Sequence, residues 1–318
     1  DKYIPWGIQY VLIAGNIDLI PMRHCYPDPS NHGSDEEYCP PTDYYYADLT
    51  GDWDSDGDGF YGEYGQDNVD FYPEIFVGRI PFSDSANMAT ICTKLVNFEK
   101  DDGAWKSNAL LLGAISNYQG EDFNDYELTD GASLMDQMIN DLLSGWSYRT
   151  MYEKAGINPS TYACDQPISH ANVIGDWSVN DYGVVNWWGH GSKTASFRKY
   201  WGSDNGNSVP ESGEMIWEAF TSTSDVTSLD DGHPSIIFSC SCDNGYPEYY
   251  NLAKALIGRG SAGIVNATRV SWYSVGWSNS QWGGNASIDY YFFYYLIGQN
   301  QKVGEALFSA KLYDLNHF

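Results

Sequence analysis

Val184-Val185-Asn186-Trp187-Trp188-Gly189-His190-Gly191-Ser192 decides how the rest of the chain is read. Its first half is an almost continuous apolar run, the pattern of a strand buried on both faces, as strands of parallel sheets are. The Gly-His-Gly that follows ends the strand in a turn. Ser235-Ile236-Ile237-Phe238-Ser239-Cys240-Ser241-Cys242-Asp243-Asn244-Gly245 repeats the design, with a thiol where the first segment has an imidazole. Further strands are expected at Tyr10 to Ala14, Ile75 to Ile80, Ala109 to Ile115 and Gly263 to Asn266. Apolar residues at three and four spacing predict helices from Asp84 to Lys100, with Ser83 as N-cap, from Ala132 to Leu143, over Leu252 to Ile257 and through much of Ile288 to Ile297. Strands and helices in this alternation predict an α/β fold, a mostly parallel sheet flanked by helices on both faces.

Composition narrows the classes. With 16 basic against 43 acidic residues the chain carries a formal charge of −27, which excludes a nucleic-acid or anionic-membrane binder as the default reading. The 318 residues are 42% hydrophobic, enough for a core, and no apolar run reaches the ~20 residues of a membrane span. Few lysines, many Tyr, Trp, Asn and Gly, and acidic loops suited to a calcium-rich medium suggest a secreted protein. Six cysteines are too few for a disulfide scaffold, but Cys25 and Cys39 bracket one polar loop and are the candidates for a single structural bridge. Lys100 to Lys106 offers a division into an N-terminal part, residues 1–103, and a second part, residues 104–318, carrying both His190 and Cys242. Residues 202–232 are polar apart from Met215 to Phe220 and read as a long excursion between strands.

Chemistry in an open parallel sheet gathers at the carboxyl ends of its strands. His190 and Cys242 both stand there, histidine first and 52 residues apart, the order and spacing of caspase-type cysteine peptidases. Taken singly, a cysteine on an apolar strand is more often a small buried hydrophobe, and a Gly-His-Gly is more often only a turn. Together they point to a nucleophile and its acid/base. Cys240 shares the strand face by alternation; the turn residues directly after Cys242 favour Cys242 as the reactive thiol.

The strings Trp188-Gly189-His190-Gly191-Ser192, Cys242-Asp243-Asn244-Gly245, and Asn251-Leu252-Ala253-Lys254-Ala255-Leu256 leading to Gly263-Ile264-Val265-Asn266-Ala267-Thr268 resemble the gingipain family of cysteine peptidases. Tyr10 to Asn16 and Glu74 to Arg79 resemble two further strands of that family, so the likeness covers most of the chain. It implies a caspase-like fold, a secreted endopeptidase acting on polypeptides, Cys242 as nucleophile, His190 as acid/base, and the N–H groups of Gly191 and Cys242 as oxyanion donors. Asn117 stands near where family members place an acid and is expected to orient His190. Trp272 is expected to line the primary specificity pocket, and Asp122, chosen over Glu121 and Asp125, to sit at its base and select Arg or Lys. Family members usually begin with a further strand and helix and close on a Gly-Asp-Pro-like strand end. This sequence shows neither, so the resemblance implies a trimmed or released flanking segment, such as a pro-segment.

Asp52-Trp53-Asp54-Ser55-Asp56-Gly57, followed after five residues by Glu63, fits the calcium-loop pattern D-x-D-x-D-G-x5-E, with Asp58 and Asp67 close by. Calcium held by Asp52, Asp54, Asp56, Asp58 and Glu63 is the expectation, a solvated acidic turn the plainer alternative. Gly258-Arg259-Gly260-Ser261-Ala262-Gly263 matches a dinucleotide fingerprint in letters only, because a helix precedes it and a strand follows. The competing class for the whole chain is a catalytically silent, calcium-stabilised binding or adhesin-like module of the same fold. Retention of both His190 and Cys242 speaks against it.

Overall fold

Asn108–Gly113 and Val184–Trp188 lie side by side at the centre of a six-stranded parallel sheet in this computed structural model, which describes residues 3–30, 32 and 38–318. Across the sheet the order is Ser261–Val265, Ser235–Cys240, Val184–Trp188, Asn108–Gly113, Ser147–Tyr152 and Gln166–Pro167. The chain therefore builds outward to one side from Asn108–Gly113, returns to the centre at Val184–Trp188, and builds outward to the other. The boundary between those two central strands is the topological switch point, near whose carboxyl edge open α/β sheets place their sites.

Alternation along the strands sorts the core into two layers. Ala109, Leu111, Val184, Trp188, Ile236 and Phe238 pack on one face against the helices Ala132–Leu142 and Gly284–Phe293. Leu110, Leu112, Val185, Trp187 and Ile237 pack on the other against His170–Trp177 and Leu252–Gly258. Helices thus cover both faces, and the 258–263 glycine string is the expected turn between Leu252–Gly258 and Ser261–Val265.

Several boundaries differ from the sequence reading. Tyr10–Ala14 and Phe76–Ile80 pair in parallel with each other as a separate two-stranded sheet. Asp84, not Ser83, caps Ser85–Lys100, its carboxylate accepting the Asn87 N–H at 2.8 Å. The expected strand from Ala109 to Ile115 breaks at Ala114, and Ile115–Asn117 turns into a second, antiparallel sheet. That sheet runs His190–Gly191, Ala195–Trp201, Ile115–Asn117, Thr129–Asp130, with Met215–Ser222 also paired to Ala195–Trp201. The excursion expected over 202–232 contributes one strand of this hairpin, Met215–Ser222, its apolar stretch. In the hairpin Arg198 and Lys199 are buried and neutralised, Arg198 by Glu153 at 2.8 Å and Glu218 at 2.5 Å, Lys199 by Glu121 at 2.6 Å.

The helix expected from Ile288 begins at Gly284 and passes into a π turn over Tyr294–Gly298. The last helix, Val303–His317, which the sequence reading did not foresee, reaches back to the small sheet, where Phe308 meets Phe76. Cys25 and Cys39 are not bridged; the Cys25 thiol points to the Gly62 carbonyl at 3.8 Å, and burial pushes it up to about 12. A crevice of about 1400 Å³ separates the small sheet from the Ser261–Val265 edge, and neither His190 nor Cys242 lines it.

Candidate active site

The central register sets His190 and Cys242 at adjacent strand ends. Val184–Trp188 pairs with Ser235–Cys240 so that Trp188 stands opposite Cys240, and His190 and Cys242 lie two residues further along each strand. The turns are pinned to one another: the Gly189 N–H donates to the Cys240 carbonyl at 3.2 Å, and the Ser241 hydroxyl donates to the Gly189 carbonyl at 3.0 Å. Gly191 packs directly on the Cys242 backbone, where a Cβ would overlap the Cys242 carbonyl oxygen and come within 2.7 Å of its nitrogen. Only glycine permits that approach. Asn244, fully buried, ties the two loops, its amide donating to the Ser192 carbonyl at 2.7 Å and the Ala195 carbonyl at 3.1 Å.

The two thiols differ in environment. Cys240 is 1% exposed in the apolar layer beneath the site, and burial holds its pKa well above the ordinary thiol value, with Asp289 and Cys242 adding to the shift. Cys242 is half-buried beyond the strand end, ahead of Asp243 in a left-handed backbone (φ 59°). Its Sγ faces Ser271, whose N–H approaches at 3.4 Å and whose carbonyl lies at 3.6 Å. Accessibility singles out Cys242.

His190 is held from two sides. Its Nε2 lies 3.1 Å from the Ser116 carbonyl oxygen. A carbonyl can only accept, so Nε2 carries the proton and Nδ1 is left with the lone pair. The Trp217 indole stands edge-on to the ring, centroids 4.7 Å apart. Burial first, then the Lys199 charge, pull the imidazole down to about 4, the Ser116 contact opposing them. It is therefore neutral at pH 7. The orienting bond expected from Asn117 comes from the neighbouring main chain instead: Asn117 Oδ1 accepts from the Tyr273 hydroxyl. Since Ile115–Asn117 leaves the central sheet, side-chain alternation counted from Ala109 does not carry through the break.

The expected specificity residues part company. Trp272 is 65% exposed and follows Ser271, whose N–H meets the Cys242 thiol. Asp122 accepts from both the hydroxyl and the N–H of Ser212, which lowers its pKa, and lines a shallow crevice with Ser203 to Asn205 and Glu211 to Glu214, to which Trp272 does not contribute. Glu121 is buried and bound to Lys199. Four residues beyond Trp272, the Glu127 carboxylate lies 2.5 Å from where a Cβ on Gly276 would stand.

In the acidic loop, carboxylate oxygens of Asp54, Asp56 and Asp58 lie within 4.8 Å of one another, as do those of Asp56, Glu63 and Asp67, and a nitrogen of His32 with Asp58 and Glu63. Asp52 belongs to none of these groups among the described residues; its main chain bridges Asn68. Glu63 is 1% exposed, and its Oε2 is buried with no hydrogen-bond partner. An anionic oxygen in that position is costly unless a cation faces it, so the donor set fits a hard, oxygen-seeking ion.

The model of Peptidase family C25 matches residues 3–317. No curated protein sequence matches the chain. Among solved structures, the crystal structure of the Arg-specific cysteine proteinase gingipain R is similar with a TM-score of 0.67 at 17% identity, covering 100% of this chain and 61% of that one. A second, of a protease, gives a TM-score of 0.55 at 14% identity over 92% of this chain and 49% of that one. The chain thus spans about half to three-fifths of the solved chains it resembles. A parallel sheet that delivers a histidine and a cysteine to adjacent strand ends agrees with the family match along nearly the whole sequence, and the chain belongs to peptidase family C25.

Proposed function

We propose that this protein is a cysteine endopeptidase that cleaves polypeptides through a Cys242 thioester. The observation that carries the reading is the register placing His190 and Cys242 two residues beyond the paired Trp188 and Cys240. Nδ1 of His190 takes the thiol proton as Sγ attacks the scissile carbonyl carbon, and the N–H groups of Gly191 and Cys242 receive the oxyanion. Collapse breaks the C–N bond while the imidazolium returns its proton to the leaving amine. Water, deprotonated by the same imidazole, then opens the thioester.

The proposed P1 residue is Arg or Lys. A buried cation needs a counter-ion, and Glu127, against Gly276 four residues beyond Trp272, supports an acid there better than Asp122, which is engaged by Ser212. The proposed structural ion is calcium, held by oxygens drawn from Asp54, Asp56, Asp58, Glu63 and Asp67 beside His32, with Asp52 outside the cluster. Its role is to neutralise the loop and fix it. Secretion is proposed from the acidic, lysine-poor composition and a site suited to the calcium levels outside cells.

Labelling with peptidyl acyloxymethyl ketones that differ at P1, followed by mapping of the modified residue, tests this reading. Modification of Cys242 by the Arg and Lys probes is expected. No labelling by any probe would favour the silent module, and labelling led by Asp or a large apolar P1 would remove the basic pocket while keeping the peptidase.

A further inference from the structure

We infer that Trp217 forms the subsite for the residue after the scissile bond, P1′, and that this subsite selects large apolar or aromatic side chains. The inference rests on the peptidase reading above and adds the leaving-group side of its specificity. Trp217 lies on Met215–Ser222, opposite Lys199 of Ala195–Trp201. Its ring stands edge-on to His190 at 4.7 Å, yet the residue is 51% exposed. A large indole that covers one side of the imidazole while half of it faces solvent is a wall of the cleft, since a purely structural tryptophan would be buried.

The chemistry assigns that wall to one side of the substrate. The acyl half of the peptide becomes bonded to Cys242, so its P1 side chain lies towards Ser271 and Trp272, which flank the thiol. The amine half receives its proton from His190. The P1′ side chain is one carbon from that nitrogen, so a group packed on His190 meets P1′ before any other side chain. The ring flank towards the strand already has the Lys199 ammonium 5.6 Å from its centroid. Lys199 is buried in an ion pair with Glu121 and does not leave. A second cation brought to the same indole competes with Lys199 for the ring quadrupole, whereas an apolar or aromatic side chain gains contact area without that conflict.

Cleavage of a peptide series with one fixed P1 residue and P1′ set to Phe, Leu, Gly, Lys or Asp provides the test, comparing wild type with Trp217→Ala and Trp217→Phe. Wild type should prefer Phe and Leu over Gly and Asp by about tenfold or more in kcat/KM. Trp217→Ala should flatten that ratio to within about twofold, and Trp217→Phe should restore part of it. Because the readout is a ratio within one enzyme, a general loss of activity cannot imitate it. An equal fall in kcat for every P1′ residue with the ratio intact would overturn the subsite and leave Trp217 as a cover for His190. A wild-type preference for Lys or Asp would overturn the apolar assignment. Failure of wild type to cleave any peptide or take up any P1 probe would instead refute the peptidase reading on which the inference stands.

Discussion

Gly191 and Cys242, 51 residues apart in sequence, are packed backbone to backbone, with no room for a Cβ on residue 191. The contact sets the distance between the two proposed oxyanion donors. Gly191→Ala is expected to fold with its core intact, since the site lies at the sheet edge, but to lose about 100-fold or more in kcat, the usual scale for a displaced donor. Turnover of one substrate, with circular dichroism as the check on folding, decides it. Activity within about threefold of wild type would contradict the role.

Exposure separates the two thiols. Cys242→Ala should abolish turnover and covalent labelling while the melting temperature stays within a few degrees of wild type. Cys240→Ala removes a sulfur from the packed layer shared with Phe238 and Trp188, and should cost about 1 kcal/mol of stability while activity persists. The reverse outcome would transfer the nucleophile to Cys240.

The depressed pKa of His190 has a definite sign. Burial and Lys199 disfavour the imidazolium, so the folded state binds this proton less tightly than the unfolded chain does. The His190 contribution to stability is present above the unfolded value near 6.5 and is lost as pH falls towards about 4, a loss of roughly 3 kcal/mol at most. Melting temperature against pH should fall over that window in wild type and less in His190→Gln. The acid limb of kcat/KM should lie nearer 4 than 6.5. The paired change Lys199→Met with Glu121→Gln, which removes the charge without orphaning its partner, should move the limb upward. A wild-type limb at or above 6.5 would count against a buried neutral imidazole.

Chelation addresses the acidic loop. An ion bound only by the folded state stabilises it by about 2.7 kcal/mol at a hundredfold excess over Kd. Excess EDTA should lower the melting temperature, and calcium should restore it. Glu63→Gln should abolish the calcium response because it alters the buried carboxylate whose Oε2 has no other partner, whereas Asp52→Asn should leave most of it. An identical melting curve with and without EDTA would remove the ion.

Local pattern alone determined the strands that matter most. Val184–Trp188 and Ser235–Cys240 are apolar because both their faces are covered, and they end in turns that carry His190 and Cys242, so the proposed catalytic pair could be read from two short strings. Glu63 was legible in the same way, from the spacing of an acidic loop. Tertiary structure decided which groups surround these residues. The chain leaves the central sheet at Ala114, so the Ser116 carbonyl meets His190 and Asn117 turns to Tyr273. Met215–Ser222 pairs with Ala195–Trp201 across an intervening loop, the hairpin's buried cations neutralised by Glu153, Glu218 and Glu121 from distant or facing segments, and only that pairing sets Trp217 against His190. Asp67 and His32 join the acidic cluster, and Glu127 comes up against Gly276, through contacts between segments distant in sequence. Side-chain periodicity reports how a segment is buried, but which charge meets which is fixed by contacts between segments that sequence spacing does not encode.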